Sequence, residues 1–465
     1  MTADPTPLLP HPADDSDPPY ALDRKAVLAV LSAVETGDRD RVVALMDPMH
    51  PADIADLLEQ INPPDRKRLL RLYDREFDGE ILSELDETLR EEIIDVLKPE
   101  VLAEAVRDMD SDDVVDLVED LDEAQQEQIL DALDSTDRVA VEQSLTYPEY
   151  SAGRLMQREV VMAPEHWTVG EAIDHLRASD TLPEQFYHVV LVDPRLRPIA
   201  NITLGKLMAS GRDVRLDTIT EETFYIIPAT QAEGEVAYAF NQYHLISAPV
   251  VDENDRLVGV ITMDDAMAVL DEEHEEDILR LAGVGEESRL SDSVRETTKQ
   301  RFPWLAVNLV TSVLASMVIA QFEEAIAQIV ALAVLMPIVA SMGGNAGTQS
   351  LTVAVRALAT KDLTSANIWR VIRREVIVGL FNGVIFAIVM GGIGVIWFGS
   401  PLLGVVIAAA MVINLVVAGL AGTVVPVVLE RIGVDPALAS GAFVTTVTDI
   451  VGFFAFLGLA AMVLL

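Results

Sequence analysis

Residues 440–461 read SGAFVTTVTDIVGFFAFLGLAA, an apolar run interrupted near its centre by a single carboxylate, Asp449. Such a run is long enough to cross ~30 Å of hydrocarbon as a helix. A charge at that depth costs roughly 2.5–3.5 kcal/mol even on insertion scales, so Asp449 is expected to face a wet pathway or a polar partner. Thr445 lies one turn earlier on the same face, and Thr446 and Thr448 add hydroxyls nearby.

Working outward, four more apolar stretches at about 303–321, 325–342, 373–398 and 402–429 join a last one at 436–461 to make five expected spans. Asn308, Asn382 and Asn414 place an amide in three of them. The second stretch runs into MPIVASMGGNAGTQS at 336–350, where Pro337 and the pair Gly343-Gly344 are expected to break the helix before it continues. Broken helices at membrane depth are tolerated where freed carbonyls line an aqueous cavity, which makes Asn345 a candidate ligand beside Asp449 and Thr445. The connections set the expected orientation. Arg356, Lys361, Arg370, Arg373 and Arg374 lie between the second and third spans and Arg431 between the last two, whereas the other connections hold Glu323 and Glu324 or no charge. Positive charge favours the cytoplasmic side. The expectation is a multi-pass protein of a plasma or inner cell membrane, its N-terminal half cytoplasmic and its C-terminus outside.

The chain ahead of about Arg301 has the opposite character and carries nearly all of the net charge of −42. Such a field repels nucleic acid, which is not expected as a partner, and gathers cations. Without cysteine, disulfides, zinc-thiolate sites and thiol catalysis are excluded. All seven histidines precede the spans, so neither Cys nor His lies in the apolar half, which argues against a pore tuned to soft or borderline metals. Residues 1–21 are acidic, proline-rich and lack a signal-peptide pattern; they read as a disordered tail.

From about residue 22 to 145, segments such as DIADLLEQI, DRKRLLRLY and DDVVDLVEDL repeat apolar residues at three- and four-residue spacing, with Asp or Ser placed to cap the next helix. This predicts a small superhelix of stacked helical hairpins. Residues about 156–270 mix strands with helices and contain a repeat: VLVDPRLRPIANITLGKLM at 190–208 aligns without gaps on PVVDENDRLVGVITMDDAM at 249–267. Each copy reads strand, turn, strand, helix. The link that follows opens DEEHEEDILRLAG, in which Asp271 and Glu275, and Glu272 and Glu276, are like charges one helical turn apart. A divalent cation would relieve that repulsion. Asp264, Asp265, Glu272, Glu275, Glu276 and Asp277 are therefore candidate sensor ligands.

The repeat resembles a pair of CBS domains, ligand-sensing modules. That resemblance implies that Thr262 and Asp265, in a Thr-x-x-Asp pattern, hold a nucleotide ribose; with Tyr187 they form a candidate site for ATP or another adenine nucleotide. The first copy has Thr203 but Lys206 in the acidic position. From about residue 22 to the end, the whole order resembles the MgtE family of Mg²⁺ channels. The match rests on YPEYSAGRLM at 147–156, on Pro337 to Gln349 and on the TTVTD string ending at Asp449. It implies a homodimer with a pore on its axis, Asp449 of both chains binding hydrated Mg²⁺, and acidic cytosolic faces that bind Mg²⁺ and shut the pore through a connecting helix.

The expected organisation is a tail (1–21), an all-α helical superhelix N domain (22–150), an α/β CBS-domain pair (151–270), an acidic connecting helix (271–301) and a five-span α-helical membrane domain (302–465). Mg²⁺ dehydrates reluctantly and is commonly held by one or two carboxylates with waters retained, which suits one carboxylate per chain doubled by symmetry. Gly379, Gly383, Ala418 and Gly422 offer close helix packing, either for a dimer in membrane lipid or equally between helices of one chain. Competing readings are a carrier of Co²⁺ or a mixed set of divalent ions, and a membrane sensor without transport. No enzyme is expected: an intramembrane aspartyl protease needs two converging carboxylates, and only Asp449 is deep.

Overall fold

The computed structural model describes residues 22–465 apart from 76, 108, 120, 180, 181, 184, 285–293, 438 and 439. The expected tail and the middle of the connecting segment lie outside the described residues. The chain divides into two compact units, 1–270 and 271–465.

In the first unit, ten helices run from Arg24 to Ser144. Their starts follow from the acidic composition. Asp23, Asp38, Asp86, Asp122 and Asp134 each accept a backbone N–H in the first turn of the helix that follows, as does Asn62. A cap of this kind is worth ~1 kcal/mol, so part of the acid content sets helix boundaries. The apolar faces share a core that includes Leu57, Leu69, Ile81, Ile93, Leu117 and Ile129. Buried polar groups tie successive hairpins together: Arg66 donates to the carbonyls of Leu58 and Ile61, Arg90 to that of Leu85, and Gln126 to those of Val118 and Leu121.

The repeat folds twice into the same sheet. Strands β1 (Met162–Pro164), β2 (His188–Val192) and β3 (Pro198–Thr203) form one; β4 (Ile227–Pro228), β5 (Ser247–Val251) and β6 (Leu257–Thr262) form the other. In each, the first strand pairs parallel with the second and the second antiparallel with the third, with a bulge at Leu191/Val192 or Val250/Val251. The turns also correspond. Asp193 and Asp252 each accept two backbone N–H groups, and Leu196 and Asp255 each take a left-handed conformation, with φ of 62° and 60°. The gapless alignment thus reflects a repeated backbone.

Among the described residues of the second unit, five helices are long and apolar enough to cross a membrane: span one Thr297–Ala320, span two Ala331–Ala359, span three Ile368–Phe398, span four Pro401–Arg431 and span five Gly441–Leu464. Span one starts earlier than expected, because its helix continues through Pro303. The region taken as the start of the second stretch is instead a separate short helix, Glu323–Gln328. Span five begins later than 436, where Asp435 accepts the backbone N–H of Ala437 in the preceding turn. The largest correction concerns span two. It is one unbroken helix through Pro337 and Gly343-Gly344. Its glycines serve close approach rather than a break: a Cβ on Gly343 would stand 2.1 Å from the Asn414 amide, and one on Gly347 2.6 Å from Val444. Gly379, Gly383 and Gly422 likewise pack within the chain, against Leu415, Val412 and Gly347 respectively, so they do not carry an argument for a dimer.

Candidate ion pathway and acidic control surfaces

Asp449 is half-buried on span five, and among the described residues no hydrogen bond or ion pair reaches its carboxylate. The threonines beside it bond to their own helix. Thr445 donates to the carbonyls of Gly441 and Ala442, Thr446 to Ala442 and Thr448 to Thr445. Their donors are thus occupied while their oxygen lone pairs can still accept. Span two approaches here: a Cβ on Gly344 would meet the Thr445 methyl at 3.5 Å, and Gly347 lies against Val444 and Thr448. Thr445 and the glycine segment of span two are thereby brought together. Asn345 is exposed on span two. Among the described residues no group of three or more His, Cys, Asp or Glu side chains is arranged to hold a metal, and Asp449 stands as a single carboxylate on span five.

The connecting helix runs Met263–Leu281. Asp264, Glu272 and Glu275 are exposed on it, while Glu276 and Asp277 are half-buried. Arg280 donates to Glu276 one turn back at 2.8 Å and to Asp435, in the turn before span five, at 2.6 Å. Burial, with Asp435 and Glu273 adding repulsion, holds the Asp277 carboxyl above its usual range. Leu281 packs into a cluster containing Leu351, Val355, Ala421, Ala437 and Val444. The end of the connecting helix therefore joins a cluster built by spans two, four and five, and the Leu281 carbonyl comes within 3.7 Å of where a Cβ on Gly441 would stand, one turn before Thr445.

A second acidic site lies in the first unit, and sequence periodicity did not find it. Ser111 donates to Glu159 and accepts the backbone N–H of Arg158, both at 2.8 Å, which docks the start of helix Ser111–Glu119 on the strand-rich part. Asp112 and Asp113 in that first turn thereby face Asp265. Burial, then Asp265, pushes Asp112 well above the ordinary carboxylate range and Asp113 to about 7. Asp265 rises to about 6, through burial and through Asp264 and Asp110, against the hydrogen bond it accepts from Thr262. Carboxylates held this way strain against full ionisation and favour a nearby cation. The only signal in the sequence was the run DMDSDD at 108–113, which reads equally well as a capped helix start.

The candidate nucleotide residues divide. Tyr187 and Thr262 line one cleft, together with His188, Ser247 and Gln157. The Thr262 hydroxyl donates to Asp265 at 2.5 Å, so these two residues also cap the connecting helix.

Five apolar spans, a repeated strand-helix pair and a helical acidic domain follow one another in one chain, and sequence comparison supplies the family. It is 30% identical over 434 residues to the magnesium transporter MgtE of Bacillus subtilis (strain 168), with 93% of this chain and 96% of the relative covered. The chain belongs to the MgtE family. The magnesium transporter MgtE of Thermus thermophilus is 31% identical over 448 residues, covering 95% of this chain and 99% of the relative. Family profiles match in the same order: the MgtE intracellular N domain at residues 49–150, the CBS domain at 219–272 and the MgtE divalent cation transporter at 336–459. Among solved structures, the cytosolic domain of the Mg²⁺ channel MgtE in complex with ATP aligns with 28% identity and a TM-score of 0.49, covering 52% of this chain and 99% of that one. Membership of the family and the five apolar helices together make this a multi-pass membrane protein.

Proposed function

We propose that this chain carries Mg²⁺ across a cell membrane past Asp449, and that Mg²⁺ on the cytoplasmic side closes the path. The observation that carries the reading is the unpartnered Asp449 carboxylate at mid-span, beside a glycine-lined face of span two. Asn345 and Thr445 supply further oxygens to the hydrated ion. The acidic half is cytoplasmic, as the basic connections favour, and the C-terminus lies outside. The working layout is an N domain over 22–150, a CBS pair over 151–270, a connecting segment over 271–301 that begins in the helix Met263–Leu281 and ends in the first turns of the span-one helix, and a membrane domain over 302–465.

One carboxylate is a thin ligand set, and a homodimer would double it. In support, only 6% of the most apolar window of span one is buried within the chain, which leaves that helix for lipid or a second copy. Closure works through Asp264, Asp265, Glu272, Glu275, Glu276 and Asp277, joined by Asp112 and Asp113. Mg²⁺ shared between these surfaces stabilises the compact state by the difference in its affinity for compact and open forms. An adenine nucleotide binds the cleft of Tyr187 and Thr262, with Asp265 holding the ribose.

Proteoliposomes containing the purified full-length chain test the central reading. Mg²⁺ uptake that vanishes in Asp449→Ala and falls as luminal-facing cytoplasmic domains meet millimolar Mg²⁺ is the expected result. Uptake of Co²⁺ with no Mg²⁺ uptake, or no uptake of either, would reject it.

A further inference from the structure

Asn414 is fully buried on span four. Its Nδ2 donates to the carbonyl of Val339 in span two at 2.8 Å, while its Oδ1 meets no donor among the described residues. Two glycines close around the amide. A Cβ on Gly343 would stand 2.1 Å from Nδ2, and one on Gly452 2.7 Å from the same atom. Asn414 therefore sits where spans two, four and five meet. Its two glycine walls belong to the helical turns that carry Asn345 and Asp449.

A buried acceptor without a donor lowers stability, and an aliphatic side chain at the same place would avoid that loss. Small residues alone let helices approach but leave them free to slide, since apolar packing has little axial direction. A hydrogen bond does have direction. Sliding span two by one residue moves the Val339 carbonyl by about 1.5 Å, beyond the reach of the Asn414 amide. Buried polar groups retained at a cost in stability are best attested as devices that set register.

We propose that Asn414 is a positioning residue that fixes the axial register of span two against span four, onto which span five closes through Gly452, and so sets the width of the ion path at Asp449. The proposal rests on Asp449 lining that path. Register governs how the Gly344 turn sits against Thr445, and hence which hydrated cation fits, more than whether the chain folds.

Because the chain has no cysteine, a pair introduced by Gly344→Cys and Thr445→Cys reports this one contact. In the full-length protein in liposomes, oxidative cross-linking of the pair is expected to slow by roughly 2- to 10-fold on adding Asn414→Leu, the range set by one net hydrogen bond. In the cysteine-free chain, Asn414→Leu should change the Co²⁺-to-Mg²⁺ flux ratio by a factor in about the same range. Asn382→Leu, at an exposed amide of span three, should leave the ratio unchanged. Asn414→Ala adds no bulk and is read in the same two assays. Cross-linking and flux ratio both at wild-type levels in a folded Asn414 variant would overturn the proposal. Loss of folding in both variants would also overturn it, in favour of a purely stabilising role. If cross-linking slows but Asp449→Ala still carries Mg²⁺, the register role stands and the path assignment fails.

Discussion

Arg280 and Asp435 are 155 residues apart in sequence and meet at 2.6 Å, joining the last turn of the connecting helix to the turn that precedes span five. Both side chains are mostly shielded, and Leu281 beside them packs into the cluster that contains Ala437 and Val444. The contact gives the connecting helix a hold on the helix that carries Asp449. It is a fixed charge pair beside acids for which a cation is proposed as the counter-charge. Breaking it with Asp435→Asn is expected to shift the closed-to-open balance by about 1 kcal/mol, roughly fivefold, toward open. Flux measured against cytoplasmic-side Mg²⁺ should then need a higher concentration for closure. The exchange Arg280→Asp with Asp435→Arg should recover part of the shift; an unchanged closure curve in Asp435→Asn would show that the pair plays no part.

Asp449→Asn keeps the size of the side chain and removes its charge. On the proposed path a hydrated divalent ion is held here by one carboxylate per chain, so uptake should fall by at least about 100-fold, with expression and assembly intact. Asp449→Glu should keep measurable flux. Wild-type uptake in Asp449→Asn would assign the path elsewhere.

The link acids should confer the Mg²⁺ response. In wild type, limited proteolysis of the soluble half should slow as Mg²⁺ rises into the millimolar range. Replacing Glu272, Glu275 and Glu276 with Gln should flatten that dependence, because the repulsion that Mg²⁺ relieves is gone. Glu276 also holds Arg280, so Glu276→Gln alone should loosen the latch to Asp435 as well. Protection that ignores Mg²⁺ in wild type would refute the sensor reading.

Asp113 is one of the strained members of the second cluster, held near 7 by burial and by Asp265. A carboxyl whose pKa is raised in the folded state destabilises that state when ionised. Asp113→Asn should therefore stabilise the metal-free protein at pH 8 by at least about 1 kcal/mol, and weaken the further gain from Mg²⁺. Thermal unfolding with and without Mg²⁺ measures both; a lowered midpoint without metal would contradict the placement of this group.

His188 titrates in the opposite sense. Its ring nitrogen lies 2.6 Å from the Ser247 hydroxyl, across the two repeats, and burial holds its pKa below the usual value of 6.5. The unfolded chain then binds the proton more readily than the folded one. Stability from this group is complete above the unfolded pKa and declines as pH falls through 6.5 toward the lower folded value. The acid cluster gains stability on the same descent, so the quantity to follow is the difference between wild type and His188→Asn. That difference should shrink as pH falls from 7.5 to 5.5 on the urea midpoint; a constant difference would show that the ring does not titrate there.

What the sequence alone determined depends on local pattern. Helix period, strand alternation and capping residues act within one or two turns, so the helical domain, the two copies of the repeat and the five spans were legible. So was Asp449, because a carboxylate within an apolar run is conspicuous without any knowledge of its neighbours. Span two was misread for the same reason. Proline and paired glycines weaken an isolated helix, whereas here the glycines receive Asn414 and Val444 from neighbouring spans. Tertiary structure decided the contacts that join distant segments. Apposition of Asp112 and Asp113 with Asp265, the meeting of Arg280 with Asp435 and the seat of Asn414 between two glycines depend on how whole elements rotate and register. Period assigns a residue to a face, but only packing determines what that face meets.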